Sequence, residues 1–244
     1  MYIIVGASSG VGRALAEVFA AKGCDLLLVS REERDTNAMA SDLMLRFGVA
    51  VTTAKIDLAA SNPDFTEIFT AVDSSRENFK GILFPAGTVI NADTLAIETS
   101  AIDALFRVNC LSVCSLIVEV LARAHKESKL SVVGFGSIAS VRGRGSNMIY
   151  SAAKAAMRFY FESLRHACAE KDVAVQFYVL GYMNTNLAFA YNVPLPKGEP
   201  VDLAESVYRN VNRDFGESYF PRYWRIIAYI LKSIPWPIYK HLKF

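Results

Sequence analysis

A doubly wound α/β fold, with one parallel sheet covered by helices on both faces, is the class the sequence predicts. Three observations predict it. Short apolar runs alternate with segments of helical apolar spacing along the chain. A glycine-rich turn, Gly6-Ala-Ser-Ser-Gly-Val-Gly12, joins the first such run directly to the first such helix. The 244 residues are 52% hydrophobic, with no internal repeat or low-complexity linker, so a single domain over 1–244 has ample material for its core.

Tyr2–Val5 reads as a short buried strand, and residues 10–22 as the helix that follows. The pattern repeats with strand Asp25–Val29 and helix 35–47, strand Ala50–Ile56 and helix 64–73, and strand Gly81–Pro85 and helix 100–125. Leu130–Phe135 then precedes helix 148–171, and Val173–Val179 reads as a sixth strand. Residues 186–200, with Pro194, Pro196, Gly198 and Pro200, predict a substrate lid. Asp202-Leu-Ala-Glu205 reads as an N-cap opening a further helix. The last apolar helix has about 12 residues between its punctuating prolines, far short of the roughly 20 that a membrane span requires. Right-handed crossovers place ligands at the carboxyl edge of such a sheet, where the Gly6 loop, Ser30, Asp57 and Gly87 would lie.

Two groups of residues carry chemistry. The glycines of the first turn let the backbone bend sharply and approach a pyrophosphate, whose charge the helix N-terminus meets. Such turns also serve purely structural ends. Farther along, Tyr150 and Lys154 stand four apart in Tyr-Ser-Ala-Ala-Lys, with Ser137 thirteen residues before the tyrosine. The stretch after Tyr150 reads as helix, so the pair shares one face. An ammonium beside a phenol favours the phenolate and lowers its pKa from about 10 toward neutrality. Such a tyrosine can pass a proton to or from a substrate oxygen, which the Ser137 hydroxyl can hold in place. Alone, Tyr-x-x-x-Lys would read as an ordinary solvated helix pair; the phosphate-binding loop in the same domain overturns that reading.

Together these motifs resemble the short-chain dehydrogenase/reductase family over nearly the whole chain. That family has a glycine loop of this spacing, an Asn, a Ser and a Tyr-x-x-x-Lys in this order. The resemblance implies a Rossmann-like single domain acting as a homodimer or homotetramer. Asn109, in Phe106-Arg-Val-Asn-Cys110, falls at the family's catalytic Asn and would support a water chain toward Lys154. With Ser137, Tyr150 and Lys154 it completes the implied catalytic set. Asp57, in Lys55-Ile-Asp-Leu58, matches an acidic residue that contacts adenine, and Gly181 to Thr185 match the segment that closes over nicotinamide and phosphate. The implied cofactor-binding residues are Gly6, Ser8, Ser9, Gly10, Val11, Gly12, Ser30, Arg31, Asp57, Leu58, Ala86, Gly87, Tyr150, Lys154, Gly181, Met183 and Thr185. The chain departs from the family pattern at Val5 (usually Thr), at Phe84-Pro-Ala-Gly87 (usually Asn-Asn-Ala-Gly) and at Leu180 (usually Pro).

The end of the second strand decides which nicotinamide cofactor is expected. Leu26-Leu-Leu-Val-Ser-Arg31 has no carboxylate at Ser30 to meet a ribose 2′-hydroxyl. Ser30 can donate a hydrogen bond and Arg31 can pair with a 2′-phosphate, with Arg34 as a helper and Glu32 and Glu33 as competitors. NADP(H) is therefore expected over NAD(H).

Between Ser137 and Tyr150 runs Ser140-Val-Arg-Gly-Arg-Gly-Ser-Asn147, which the chemistry confines to the mouth of the site. Arg142 and Arg144, with Asn147, are candidates to bind a substrate phosphate; as a solvated surface loop they would be unremarkable. The C-terminal tail, residues 218–244, carries five Lys and Arg, both tryptophans and no Asp or Glu. Aromatic residues mixed with basic ones suit a membrane interface, and equally a subunit interface. This loop and tail resemble one branch of the family, which includes a decaprenylphosphoryl 2-keto-pentose reductase and relatives in bacterial polysaccharide assembly. That resemblance implies NADPH-dependent reduction of a keto group on a lipid- or nucleotide-linked sugar. The alternatives are a fatty acyl, steroid or quinone carbonyl, or a non-catalytic NADP(H)-sensing or scaffold protein.

A net charge of +2 argues against nucleic acid as a partner. The four cysteines and three histidines show no metal-ligand spacing, so no metal is expected. With the first strand starting at residue 2, there is no room for a signal peptide ahead of it; a reduced, cytoplasmic protein is expected, with peripheral contact on the inner face of a membrane as the tail allows.

Overall fold

The computed structural model describes residues 1–75, 78–90, 93–123, 129–185 and 195–242. Seven parallel strands form one sheet in the order β3-β2-β1-β4-β5-β6-β7. They are β1 Tyr2–Val5, β2 Leu26–Ser30, β3 Val51–Lys55, β4 Gly81–Phe84, β5 Leu130–Ser137, β6 Val173–Leu180 and β7 Gly216–Phe220. The strand order reverses between β1 and β4, the switch point at which an open parallel sheet leaves a crevice at its carboxyl edge. β1, β2 and β4 are buried along their whole length, which is why they read as continuous apolar runs and not as alternating ones.

Helices close both faces. On one side α1 (Gly10–Ala21), α2 (Glu33–Phe47) and α7 (Pro200–Asn210) pack through Leu15, Phe19, Leu43, Leu203 and Val207 onto Ile4, Leu28 and Val133. On the other, α3 (Thr66–Ser74), α5 (Ser112–Arg123) and α6 (Met148–Ala167) bring Ile68, Leu116, Ile117, Met157 and Phe161 against Ile3, Ile82 and Val132. The Phe161 ring sits on Gly134, where any side chain would collide, so α6 approaches β5 closely. α8 (Trp224–Ser233) and α9 (Trp236–Tyr239) end the chain, with Trp224 and Ala228 packed on Ile138.

Three local readings change. The helix expected over 100–125 is α4 (Thr99–Phe106), a π-helical turn Arg107–Leu111 and then α5; residues 124–125 lie outside the described ones. α7 starts at Pro200 with Glu199 as its N-cap, so Asp202 sits in the first turn and is not the cap. β7 was not expected, because Gly-Glu-Ser-Tyr-Phe on a sheet edge is only half-buried and its apolar signal is weak. Of the expected lid, residues 186–194 lie outside the described ones. Gly198 is tied down: its N–H donates to Tyr182 O at 2.8 Å, and its carbonyl accepts from Asn184 N at 2.8 Å.

Candidate active site

The glycine turn is built by close approach. Gly6 has φ +97°, and a Cβ there would lie 2.6 Å from the Ala86 backbone; its N–H donates to Val29 O at 2.8 Å. A Cβ on Gly12 would strike the Gly6 carbonyl, so α1 can start directly over β1. Ser9 caps α1, its Oγ accepting from Gly12 N at 2.9 Å, and no acidic residue stands in the first turn. Gly10 faces Thr185, whose Cγ2 would be 2.7 Å from a Cβ at position 10. The turn is thus a narrow cradle with backbone amides and a helix N-terminus at its floor, which fits the pyrophosphate of a dinucleotide.

The proton-handling residues converge at the other end of the same cleft. Ser137 closes β5 and caps the 3₁₀ turn Ile138–Ser140, its Oγ accepting from Ala139 N at 3.2 Å. Tyr150 and Lys154 are one turn apart on α6, both buried, with the ammonium 6.0 Å from the phenol ring centre. Lys154 Nζ donates to Phe135 O at 3.2 Å. Burial lowers the Lys154 pKa from the ordinary 10.5 to about 8, an effect the nearby Cys110 only partly opposes.

Asn109 sits in the π-helical turn, a distortion that re-aims side chains at functional sites. Its Nδ2 donates to Thr88 O and Leu105 O at 2.9 Å, and its Oδ1 accepts from Thr88 N at 3.2 Å. It thereby pins the loop after β4. Gly87 in that loop stands where both Asn109 Oδ1 and Lys154 Nζ would be 3.2 Å from a Cβ, so the three positions meet.

One residue of the site had no sequence signal. Asp93 is fully buried, and its carboxylate accepts the backbone N–H groups of Ile149 and Tyr150 at 2.8 Å each. Its backbone carbonyl accepts from Met148 N at 3.3 Å. An acidic group at a helix N-terminus complements the orphan amides and the positive end of the helix dipole. Asp93 therefore sets the start of the helix that carries Tyr150 and Lys154.

The cleft between these two ends has a volume of about 370 Å³. Ser8, Ser9, Gly10, Val11, Gly87, Ser137, Tyr150, Lys154, Gly181, Met183 and Thr185 line it, with Val89, Phe135, Ile138, Leu180 and Tyr182 as apolar wall. Arg144, Ser146 and Asn147 line its mouth, and Asn147 Oδ1 is buried without a hydrogen-bond partner among the described residues.

The structure redirects several expected ligands. Arg142, expected on a substrate phosphate, instead donates from Nη1 to Leu231 O at 2.5 Å and Ile234 O at 2.6 Å, and stacks 3.7 Å over the Tyr239 ring. Its guanidinium holds the C-terminal helices. Ser30, expected to face a ribose, is buried and donates to Glu32 O at 2.9 Å while bonding Thr36 Oγ1, so its hydroxyl closes the β2–α2 turn. Arg31 is exposed and pairs with Glu32 at 3.4 Å, the competition its neighbours suggested. Asp57 Oδ1 folds back onto Ala59 N at 2.9 Å, and Leu58 O accepts from Ser112 Oγ at 2.7 Å. Ala86 is buried behind Gly6, its N–H donating to Val5 O at 3.0 Å.

The chain matches a family model described as short chain dehydrogenase over residues 1–193. It is 25% identical over 213 residues to a bovine 3-oxoacyl-[acyl-carrier-protein] reductase, covering 83% of this chain and 87% of that one. A bovine very-long-chain 3-oxoacyl-CoA reductase is 23% identical over 250 residues, covering 98% and 77%. Among solved structures, a short-chain dehydrogenase from Sphingobium yanoikuyae in complex with NADPH superimposes with a TM-score of 0.79 at 23% identity, over 96% of both chains. A glycine cradle at one end of the cleft, a buried Tyr-x-x-x-Lys at its far wall and a family match over most of the length agree: the chain belongs to the short-chain dehydrogenase family of oxidoreductases.

Proposed function

We propose that the protein is an NADPH-dependent reductase of a keto group, with Tyr150 as its proton donor. The observation that carries this reading is the placing of Ser137, Tyr150 and Lys154 on one wall of the cleft whose opposite end is the Ser9–Gly12 cradle. The cradle would hold the pyrophosphate, and Gly181, Met183 and Thr185 would cover the nicotinamide half. Arg31 can exchange its exposed Glu32 partner for a 2′-phosphate, since a surface pair of this kind is weak. When bound, the cofactor supplies two electrons and a hydrogen to the carbonyl carbon.

The residues of the chain handle the oxygen. Ser137 Oγ orients the carbonyl, and Tyr150 gives its phenolic proton to the oxygen as negative charge develops there. The phenolate left behind is favoured by the Lys154 ammonium, held one turn away in a dry site. Asn109 fixes the loop at Gly87 against which Lys154 rests.

For the substrate, a keto-sugar joined through phosphate to a lipid or nucleotide fits the mouth. Arg144, at the mouth, would meet the phosphate. A second reading, a 3-oxoacyl chain, is favoured by the apolar wall of Val89, Ile138 and Leu180 and by the named activities of the two bovine relatives. Turnover of NADPH with a prenyl-phosphate-linked keto-sugar and with a 3-oxoacyl thioester separates the two.

The test of the reaction is Tyr150→Phe. Its turnover should fall by about 10² to 10⁴ while NADPH fluorescence still reports binding. A fully active variant would overturn the assignment.

A further inference from the structure

We infer that the outer surface of α8 and α9 docks on an anionic lipid bilayer. The helix is apolar on two sides. Its inner side, Trp224 and Ala228, is buried on Ile138, with Val141, Tyr182 and Tyr219 packed around it. Its outer side presents Ile226, Tyr229 and Ile230, which are 66%, 74% and 54% exposed, at the spacing that puts them on one face. Trp236, Ile238 and Leu242, beyond the helix end, are exposed as well, at 67%, 58% and 41%. An amphipathic helix of a globular protein exposes polar residues on that side. Here it exposes aromatic and branched aliphatic ones.

Charge chooses the occupant. Arg222, Arg225, Lys232 and Lys240 stand exposed around the strip, and no Asp or Glu occurs from residue 218 to the end of the chain. A second copy seated on this patch through a two-fold axis would place the basic surface against itself. An anionic bilayer meets both components: headgroup charge for the Lys and Arg, and the acyl boundary for Trp, Tyr and Ile. Ten residues of helix followed by Pro235 and Pro237 cannot cross a bilayer, so the segment lies on the surface.

The strip is rigidly placed. Arg142 accepts no choice of partner here: it binds the α8 carboxyl end, while Tyr239 OH donates to Gly143 O at 2.9 Å. Both ties run to the loop whose Arg144, Ser146 and Asn147 line the cleft mouth. A bilayer against α8 therefore lies beside the entrance used by the substrate.

The docking is independent of turnover and is read without it. The full chain should sediment with vesicles of phosphatidylcholine and phosphatidylglycerol, weakly with phosphatidylcholine alone, and less as salt rises. The triple variant Ile226→Ser, Tyr229→Ser, Ile230→Ser alters only exposed side chains and should lose on the order of tenfold in partitioning with an unchanged melting temperature. The pair Arg225→Gln and Lys232→Gln should lose the salt-sensitive part. Three outcomes would overturn the inference: no sedimentation of the wild-type chain, equal sedimentation of the triple variant, or a wild-type dimer that the triple variant turns into a monomer without any lipid binding by either.

Discussion

The carboxylate of Asp93 accepts the backbone N–H of Tyr150 at 2.8 Å, linking the loop after β4 to the residue proposed to deliver the proton. Asp93 touches no reacting atom, so it acts by position: it fixes where α6 begins and hence where the phenol stands in the cleft. Asp93→Ala leaves buried amides without their acceptor and should cost about 1–3 kcal/mol of stability. A displaced Tyr150 should also lower kcat by about 10- to 100-fold, with NADPH affinity retained. Asp93→Asn keeps one acceptor oxygen and should recover part of both losses. Equal kcat in Asp93→Ala and wild type, measured on folded protein, would remove the positioning role.

The parts of this site that could be read from sequence are those whose members lie close along the chain. Gly6 to Gly12 and Tyr150 to Lys154 each sit within one turn or one helix, so spacing alone states their geometry. Asp93 and Tyr150 are 57 residues apart, and a single Asp in a loop has no period to betray its partner. Arg142 and Arg144 show the opposite limit: the loop was rightly placed at the mouth, but residue order does not say which guanidinium faces the cleft and which faces α8. The alternation of strands and helices was legible because central parallel strands are apolar on both faces; β7, at the edge, lacks that signature. Ser30 illustrates a local competitor. Its hydroxyl had two chemically sensible partners, and the nearer one, the Glu32 carbonyl, has it.

Lys154 makes the reaction and the fold respond to pH in opposite directions. Its folded pKa of about 8 means that the ammonium needed beside the phenolate is lost as pH rises through that value. The kcat/KM for carbonyl reduction should therefore fall above about pH 8, and a flat profile to pH 10 would refute the role. For stability, the folded value lies below the ordinary 10.5, so the unfolded chain binds more protons between the two. The cost of burying the charge is full below pH 8 and fades as pH climbs toward 10.5. Lys154→Met should then raise stability at pH 7 by roughly 2–3 kcal/mol while abolishing turnover. The gain, followed by thermal melts, should shrink at pH 10.

Arg142 offers a test that separates a structural clamp from a substrate ligand. Its guanidinium meets the carbonyls of Leu231 and Ile234, where the carboxyl end of a helix dipole favours a cation, and it covers the Tyr239 ring. Arg142→Gln keeps a donor but loses the charge and the ring contact, and should weaken this attachment by about 1.5–3 kcal/mol. Because α8 and α9 pack at the edge of the domain, the loss should be local: faster amide exchange and earlier proteolysis within residues 224–242, with the global melting temperature nearly unchanged. Arg144→Gln should do the reverse, raising KM for a phosphate-bearing substrate and leaving exchange in the tail as it was. If Arg142→Gln raised KM severalfold with the tail as protected as before, the guanidinium would belong to the substrate after all.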